Sequence, residues 1–450
     1  MTDIDTIERG LEKIDTDLPG LKLLDAYYAG KQRLAAIGLA LPPEMDALQV
    51  IVNWPRLAVD AIEERLDIEG FQLAGAAGAD ERLWDWWQAN DMDFESGLAH
   101  LDALILGRSY VTVTTGESDD DPPIFTVESA RSMTVSYDPA TRRIAQGVRV
   151  FERDEAKQAT GVVLYQPGRV ARYRKSNGRW VLDDEDTFDL DIVPIVPIVN
   201  RARVGARDGT SEMCDVMALT DAACRTLTNL QAAQEFLAVP QRYVLGASQD
   251  DFVDRDGNKI PVWEAYIGRL WALGNSDAKV GQLNAADLRN FVEVINHYAR
   301  LVASITGLPP HFLGFSSENP ASADAIRSAE ARLVKRAERR ARAFGEAWER
   351  LMRLALRMVG DDDTAARRLE TVWRDPSTPT YAARADAVTK QFAAGILPLE
   401  AAWEQMGYSP EYRRHLRTLA ADDPATRYLE ALQAQATPPD AEPLPTSEAT

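Results

Sequence analysis

The chain is short of the residues from which active sites are usually built. Its 450 residues include four histidines and two cysteines. His100, His297, His311 and His415 are scattered, and none has a neighbour at metal-ligand or nucleophile-activating spacing. Cys214 and Cys224 fall on different faces of a helical pattern, which argues against a local disulfide or zinc site and suits a reducing compartment. No Gly-x-x-x-x-Gly-Lys-Ser/Thr phosphate loop occurs, since Gly30-Lys31 lacks the upstream glycine and the hydroxyl. An ATP-driven motor is not expected. No run of about 18 uncharged apolar residues is present. Met1-Thr-Asp-Ile-Asp5 is acidic where a secretory signal would be basic and then apolar. Neither export nor membrane insertion is expected.

Bases are also scarce, 50 against 70 acids, for a net charge of −20. Such a charge repels polyphosphate unless the bases are segregated, so simple wrapping of a duplex fits poorly. The acidic average either serves solubility or lets a duplex slide past without sticking. Acidic runs at Asp119–Asp121, Asp183–Asp186 and Asp361–Asp363 hold enough carboxylates for a two-metal phosphodiesterase, and a metal-dependent nuclease is the alternative reading they keep open. Their turn-like neighbours favour solvated loops. Asp254-Arg-Asp-Gly257 puts Phe252 and Trp263 at the first and last ligand positions of a calcium loop, so it reads as a hairpin turn. No metal or cofactor is expected.

Hydrophobic residues make up 45% of the chain, ample for a real core. The pattern over Ile7–Ala40 is helical and broken at Pro19-Gly20, predicting two short helices. Pro55 suits the first turn of a helix ending near Gly70, and further helices are expected over Leu83–Trp87 and Phe94–Leu106, the last closed by Gly107. Between Ile124 and Leu182 the period changes to two. Strands are predicted at Phe125–Val127, Met133–Tyr137, Ala145–Phe151, Gly161–Tyr165, Arg169–Arg174 and Trp180–Leu182, with Asn177-Gly178 as a hairpin turn. Val193–Val199, broken twice by proline, reads as an edge strand or connector. Helix returns over Ser211–Ala238 and Ala285–Ile305. Between them a hairpin is expected, pairing Tyr243–Leu245 with Ile260–Glu264. The fold class is α+β and helix-rich.

Residues 306–322 interrupt what would otherwise be almost continuous helix from Ala285 to Val359. Pro309 and Pro310 lack backbone donors, and Gly307 and Gly314 tolerate positive φ, so helix cannot pass through. Connections longer than about 8 residues between helices tend to be functional or disordered, and Leu308, Phe312, Leu313 and Phe315 are unusual in a disordered linker. The next helix, Ser322–Val359, would span about 55 Å at about 1.5 Å per residue. Arg332, Lys335, Arg336, Arg339 and Arg340 form a basic strip on it. They are candidates for contact with DNA phosphates or with acids of a neighbouring subunit, and interleaved glutamates favour the second. The loop itself reads either as a channel lip or as a buried connector.

Thr306-Gly-Leu-Pro-Pro-His-Phe-Leu-Gly314 is followed by Asn319-Pro-Ala-Ser-Ala-Asp-Ala-Ile-Arg-Ser-Ala-Glu330. With Tyr27-Tyr-Ala-Gly-Lys-Gln-Arg33, Val52-Asn-Trp-Pro-Arg-Leu-Ala-Val-Asp60 and Val372-Trp-Arg-Asp-Pro376, this order over residues 20–430 resembles the portal proteins of long-tailed bacteriophages, in the branch common among phages of actinobacteria. The resemblance implies a wing over residues 1–210, a stem helix over 211–242, an α/β clip over 243–284 and a second stem helix over 285–305. It further implies a tunnel loop over 306–322, a spine helix and return over 323–380, a crown over 381–435 and a disordered tail over 436–450. It places Gly307, Leu308, Pro309, Pro310, His311, Phe312, Leu313, Gly314, Phe315, Ser316, Ser317, Glu318 and Asn319 at the bore of a dodecameric ring. It implies a structural protein of the virion, assembled in the host cytoplasm, not an enzyme. Its implied partners are further copies of itself, the major capsid protein, the terminase large subunit, a head-tail adaptor and double-stranded DNA without sequence preference.

Overall fold

The structure, a computed structural model, describes residues 2–32, 50–73, 79–116, 118, 121–237, 242–246, 279–282, 287–314, 323–361, 364–377 and 381–422. The chain divides into two compact units, Met1–Ser377 and Thr378–Thr450. In the second, three short helices follow one another, α8 (Tyr381–Ala393), α9 (Leu399–Gln405) and α10 (Pro410–Asp422). The first unit holds the remaining elements.

Its opening helix, α1 (Asp3–Tyr28), starts in a capping box: Asp5 N–H donates to Thr2 Oγ1 at 3.2 Å and Thr2 N–H to Asp5 Oδ2 at 2.9 Å. The helix passes through Pro19, so two helices become one. A proline removes one backbone hydrogen bond, and that loss is outweighed here because α1 is anchored on both sides of it. Ile7 and Ile14 are buried against a sheet, whereas Leu21 and Tyr27 join the main core. Gly10 lets α1 approach that sheet closely: a Cβ there would lie 2.6 Å from Val148 Cγ2.

The sheet is an antiparallel meander in the order β4-β5-β6-β7-β8, formed by Met133–Tyr137, Ile144–Arg153, Ala159–Gln166, Arg169–Ser176 and Arg179–Thr187. Asn177 (φ 50°) and Gly178 (φ 78°) make its last turn, as the Asn-Gly pair predicts. The acidic run Asp183–Asp186 lies in β8 rather than in a loop. Arg174 reaches Asp183 at 3.2 Å, Arg172 reaches Asp184 at 3.6 Å, and Arg169 pairs with Glu185. Cross-strand charge matching holds as a strand what looked like a solvated loop.

A three-stranded sheet has the order β3-β2-β9, with β2 (Arg108–Thr114) between β3 (Ile124–Ser129) and β9 (Ile195–Val199). The proline-broken segment is thus an edge strand, with Pro197 opposite Tyr110. The main core gathers around this sheet from α2 (Trp54–Glu63), α3 (Glu81–Ala89), α4 (Met92–Leu106) and the long helix α7 (Ala323–Met358). Helix α2 ends at Glu63 rather than near Gly70, because Ile68–Gln72 is a strand, β1, paired with β12 (Glu370–Trp373). Two short segments far apart in sequence hold each other there, a pairing that local pattern does not reveal.

At the centre of this core, Trp87 and Trp348 meet edge to face with ring centroids 5.2 Å apart, and Trp87 meets Phe71 at 5.3 Å. Trp348 Nε1 donates to His100 Nε2 at 2.8 Å, and Phe344 stacks on the imidazole. Burial alone pulls the His100 pKa down to about 3, so the ring is neutral in the folded chain. The unfolded chain takes up this proton below about pH 6.5, so the stabilisation is complete above that value and lost as pH falls toward 3. Denaturant unfolding at several pH values between 6.5 and 4.5 is expected to show His100→Gln with a flatter slope than the parent, by up to about 1.4 kcal/mol per pH unit. Equal slopes would mean the site hydrates and protonates while folded.

Helix α5 (Met217–Leu237) packs against α6 (Arg289–Thr306). Between them the described residues include β10 (Arg242–Leu245), paired antiparallel with β11 (Lys279–Gln282). The expected partner Ile260–Glu264 and the turn at Asp254–Gly257 lie outside the described residues.

Candidate functional site

Helix α6 ends at Thr306, one residue past the expected Ile305, and begins at Arg289 rather than Ala285. Gly307 takes φ +73°, and its N–H returns to the Ala303 carbonyl at 2.8 Å. A side chain at Gly307 would be strained by its φ and would also press on Arg332, whose Cγ lies 2.9 Å from an ideal Cβ. Pro309 is extended (φ −59°, ψ 143°), Pro310–Leu313 form one 3-10 turn, and Gly314, again left-handed at φ +83°, closes it. Residues 315–322 lie outside the described residues, Phe315, Ser316, Ser317, Glu318 and Asn319 among them.

The first part of the loop does not project. Leu308 is 3% exposed and belongs to the main core, and Phe312 and Leu313 pack against that core. Gly307 and Pro309 are buried as well, while Pro310, His311 and Gly314 are exposed. A lip exposed from Gly307 onward is therefore corrected: the apolar side chains that looked unusual for a linker anchor its root. Any surface offered to a bore begins at Pro310. His311 Nε2 stands 3.8 Å from Glu330 Oε1 on α7.

Three of the five strip residues gather at this root, Arg332 and Arg336 on the carbonyls of α6 and Arg340 through Glu212. They follow one another at i, i+4 and i+8 on α7, which puts them on one ridge. Arg332 donates to the Ser304 carbonyl at 2.6 Å; Arg336 donates to the Ile305 carbonyl at 3.1 Å and to that of Thr306. These are the terminal carbonyls of α6, left without helical donors, where the helix dipole favours positive charge. Arg336 also binds Glu212, and Arg340 Nη2 reaches the same carboxylate at 3.0 Å. Asn200 Nδ2 adds a third donor at 3.2 Å. Lys335 pairs with Glu338 at 2.5 Å, and Arg339 is exposed.

Glu212 is the residue sequence reading missed. Its side chain is 0% exposed, and its N–H donates to the Leu104 carbonyl at the end of α4 at 2.8 Å. Burial pushes its carboxyl up, but Arg340 and Arg336 outweigh that and leave it below the ordinary glutamate value. The carboxylate is thus ionised and holds two arginines of α7, one of which also binds the end of α6, while the same residue's N–H ties it to α4. Only its position beside the buried Ser211 and Met213, at the foot of a predicted helix, sets it apart from any surface glutamate.

Among the described residues no group of three or more His, Cys, Asp or Glu side chains could hold a metal. Asp361 pairs with Arg82, and Asp121 accepts from Ser118; Asp119, Asp120, Asp362 and Asp363 lie outside the described residues. Among the described residues no helix is long and apolar enough to cross a membrane. What the geometry offers is a rigid base for a loop, built from core packing and an arginine ridge. The model of the family described as "Phage portal protein, SPP1 Gp6-like" matches residues 8–408. The chain belongs to that family.

Portal proteins of Mycobacterium phage D29 and Mycobacterium phage L5 are 41% and 40% identical to it over 404 residues, spanning 87% of this chain and 83% of theirs. Among solved structures, a chain in the virion of a native gene transfer agent particle aligns with a TM-score of 0.43 at 16% identity, covering 87% of this portal protein and 99% of that chain. A chain in the neck of such a particle, computed with C12 symmetry, gives 0.38 at 15% identity over the same shares. As a member of this family the chain is a structural component and not an enzyme. The nuclease alternative has no support.

Proposed function

We propose that twelve copies assemble as a ring at one capsid vertex and that double-stranded DNA passes through it, inward during packaging and outward at ejection. The family match over residues 8–408 carries this reading. Helices α5 and α6 line or support the channel, and the loop from Pro310 onward faces it. Residues 243–284, mostly outside the described residues, offer the docking surface for the terminase large subunit and later the head-tail adaptor. The major capsid protein holds the ring's rim. A chain with a net charge of −20 suits a duplex that must slide rather than stick. The protein reaches the virion after assembly in the host cytoplasm.

Negative-stain imaging of the purified chain tests the ring, and a single copy under every condition tried would end the proposal. The loop has its own test. Replacing Pro309 and Pro310 by alanine frees the unfolded chain and is expected to lower stability by only about 0.4–1 kcal/mol per site. Rings should still form. Helix can then extend past Gly307, so DNA packaged per head is expected to fall severely. Normal filling of heads would remove the loop from the channel.

A further inference from the structure

Two surfaces of the first unit remain unexplained, and they lie at opposite edges of the sheet β3-β2-β9. Beside β9 is a cleft of about 710 Å³ between that strand, the chain around Tyr137–Ile144 and the outer half of α7. Its floor is aliphatic, from Ile192, Ile195 and Val199. Its walls carry Arg142, Arg143, Arg203, Arg207, Arg350 and Arg357 against a single acid, Asp191. Arg142, Arg143, Arg203 and Arg207 have no carboxylate ion pair among the described residues, whereas Arg350 lies in the field of Glu346 and Glu349 on its own helix. In a chain with 20 more acids than bases, that is a marked segregation of positive charge. At its rim a tight turn is closed by paired hydrogen bonds between Arg203 and Ala206 (3.1 and 3.0 Å) and presents Val204, 85% exposed.

Beside β3 stands the converse. Asn90 fixes the α3–α4 turn to this edge, donating to the Pro123 carbonyl at 2.9 Å and accepting from Phe125 N–H at 2.8 Å. Asp93 braces the turn by accepting from Trp87 Nε1 and Gln88 Nε2, both at 2.9 Å. From this rigid corner Phe94 projects, 67% exposed, with Leu98 one turn on at 41%. Asp91 and Glu95 flank them, and neither carboxylate is paired among the described residues. Exposed aromatic and aliphatic side chains rimmed by charge mark an interaction surface.

We propose that this acidic, aromatic corner of one copy seats in the arginine cleft of the next, Phe94 and Leu98 on the aliphatic floor and Asp91 and Glu95 among the arginines. The inference rests on the ring reading and names an interface for it. Charge is complementary and the two patches differ, so the contact is head-to-tail. A head-to-tail contact closes into a ring when its rotation permits, whereas two identical patches would stop at a dimer. Position supports this, since one sheet carries the corner at its β3 edge and the cleft at its β9 edge.

The test is a charge swap read by particle mass. Arg203→Glu with Arg207→Glu should leave a folded monomer by circular dichroism at concentrations where the parent chain is fully assembled. Asp91→Arg with Glu95→Arg should do the same. All four substitutions in one chain restore complementarity between copies and should restore rings. Independently, Phe94→Cys with Val204→Cys in a Cys214→Ser background should give a ladder of linked subunits on a non-reducing gel, and neither cysteine alone should. Rings that survive either reversal, or a folded four-site chain that stays monomeric and yields no ladder, overturn the interface. Surviving rings that lose an acidic partner protein overturn it too and assign the cleft to that partner. A parent chain that never assembles overturns the ring itself.

Discussion

Replacing Glu212 by alanine is expected to destabilise the first unit by about 3–5 kcal/mol, the cost of leaving buried cationic partners uncompensated. The carboxylate is wholly enclosed and receives Arg336, Arg340 and Asn200. Without it, Arg340 loses the one anion it pairs with among the described residues, and Arg336 keeps the α6 carbonyls but not its ion pair. Glu212→Gln, which retains shape and some hydrogen bonding, should fall between. Unfolding by guanidinium, followed by fluorescence of the buried tryptophans, measures the difference. The acid limb gives a second readout. Glu212 titrates below the ordinary value, so its contribution is present above about pH 4.3 and is lost as pH falls through the folded pKa. The alanine variant should lack that part of the acid transition. A change under about 1 kcal/mol would mean that water enters and the arginines find other partners.

Trp348→Ala is expected to cost a similar amount, about 3–5 kcal/mol, by a different mechanism. Trp348 is fully buried, meets Trp87 edge to face and donates to His100. Alanine leaves a cavity and removes the imidazole's donor in one step. Trp348→Phe separates the two effects, since it fills most of the volume and loses only the indole N–H, for about 1–3 kcal/mol from the unsatisfied nitrogen. If phenylalanine proved as damaging as alanine, the hydrogen bond rather than the packing would hold this centre together. Both variants change thermal and denaturant midpoints and are not expected to move the chain beyond Gly314.

Local chemistry makes much of this molecule legible from its residues alone. The period-two run and Asn177-Gly178 specify the meander, and Gly307 with Pro309-Pro310 specifies the break between α6 and α7. Pro19 misleads because propensity counts a lost hydrogen bond and cannot see that Ile14 and Leu21 are gripped on either side of it. The β1–β12 pair escapes because each strand is short and their sequence separation is large. The basic strip is visible in the sequence, but its direction is not. A ridge of arginines reads as surface until it is known that Glu212 and the last carbonyls of α6 lie beneath it. For the same reason Leu308 reads as part of a lip, since apolar character in a loop does not say which way the side chain turns.

The meander β4–β8 also bears on how the chain reaches this state. Every one of its pairings joins neighbours in sequence through a short turn, so its loops close at little entropic cost and it can form early. The ridge on α7, by contrast, joins residues 200, 212 and 306 to 336 and 340, and cannot assemble until most of the first unit has been made. The root of the loop is therefore among the last places to become ordered. A subunit caught before that moment would carry a finished sheet but no fixed foothold for the residues from Pro310 onward.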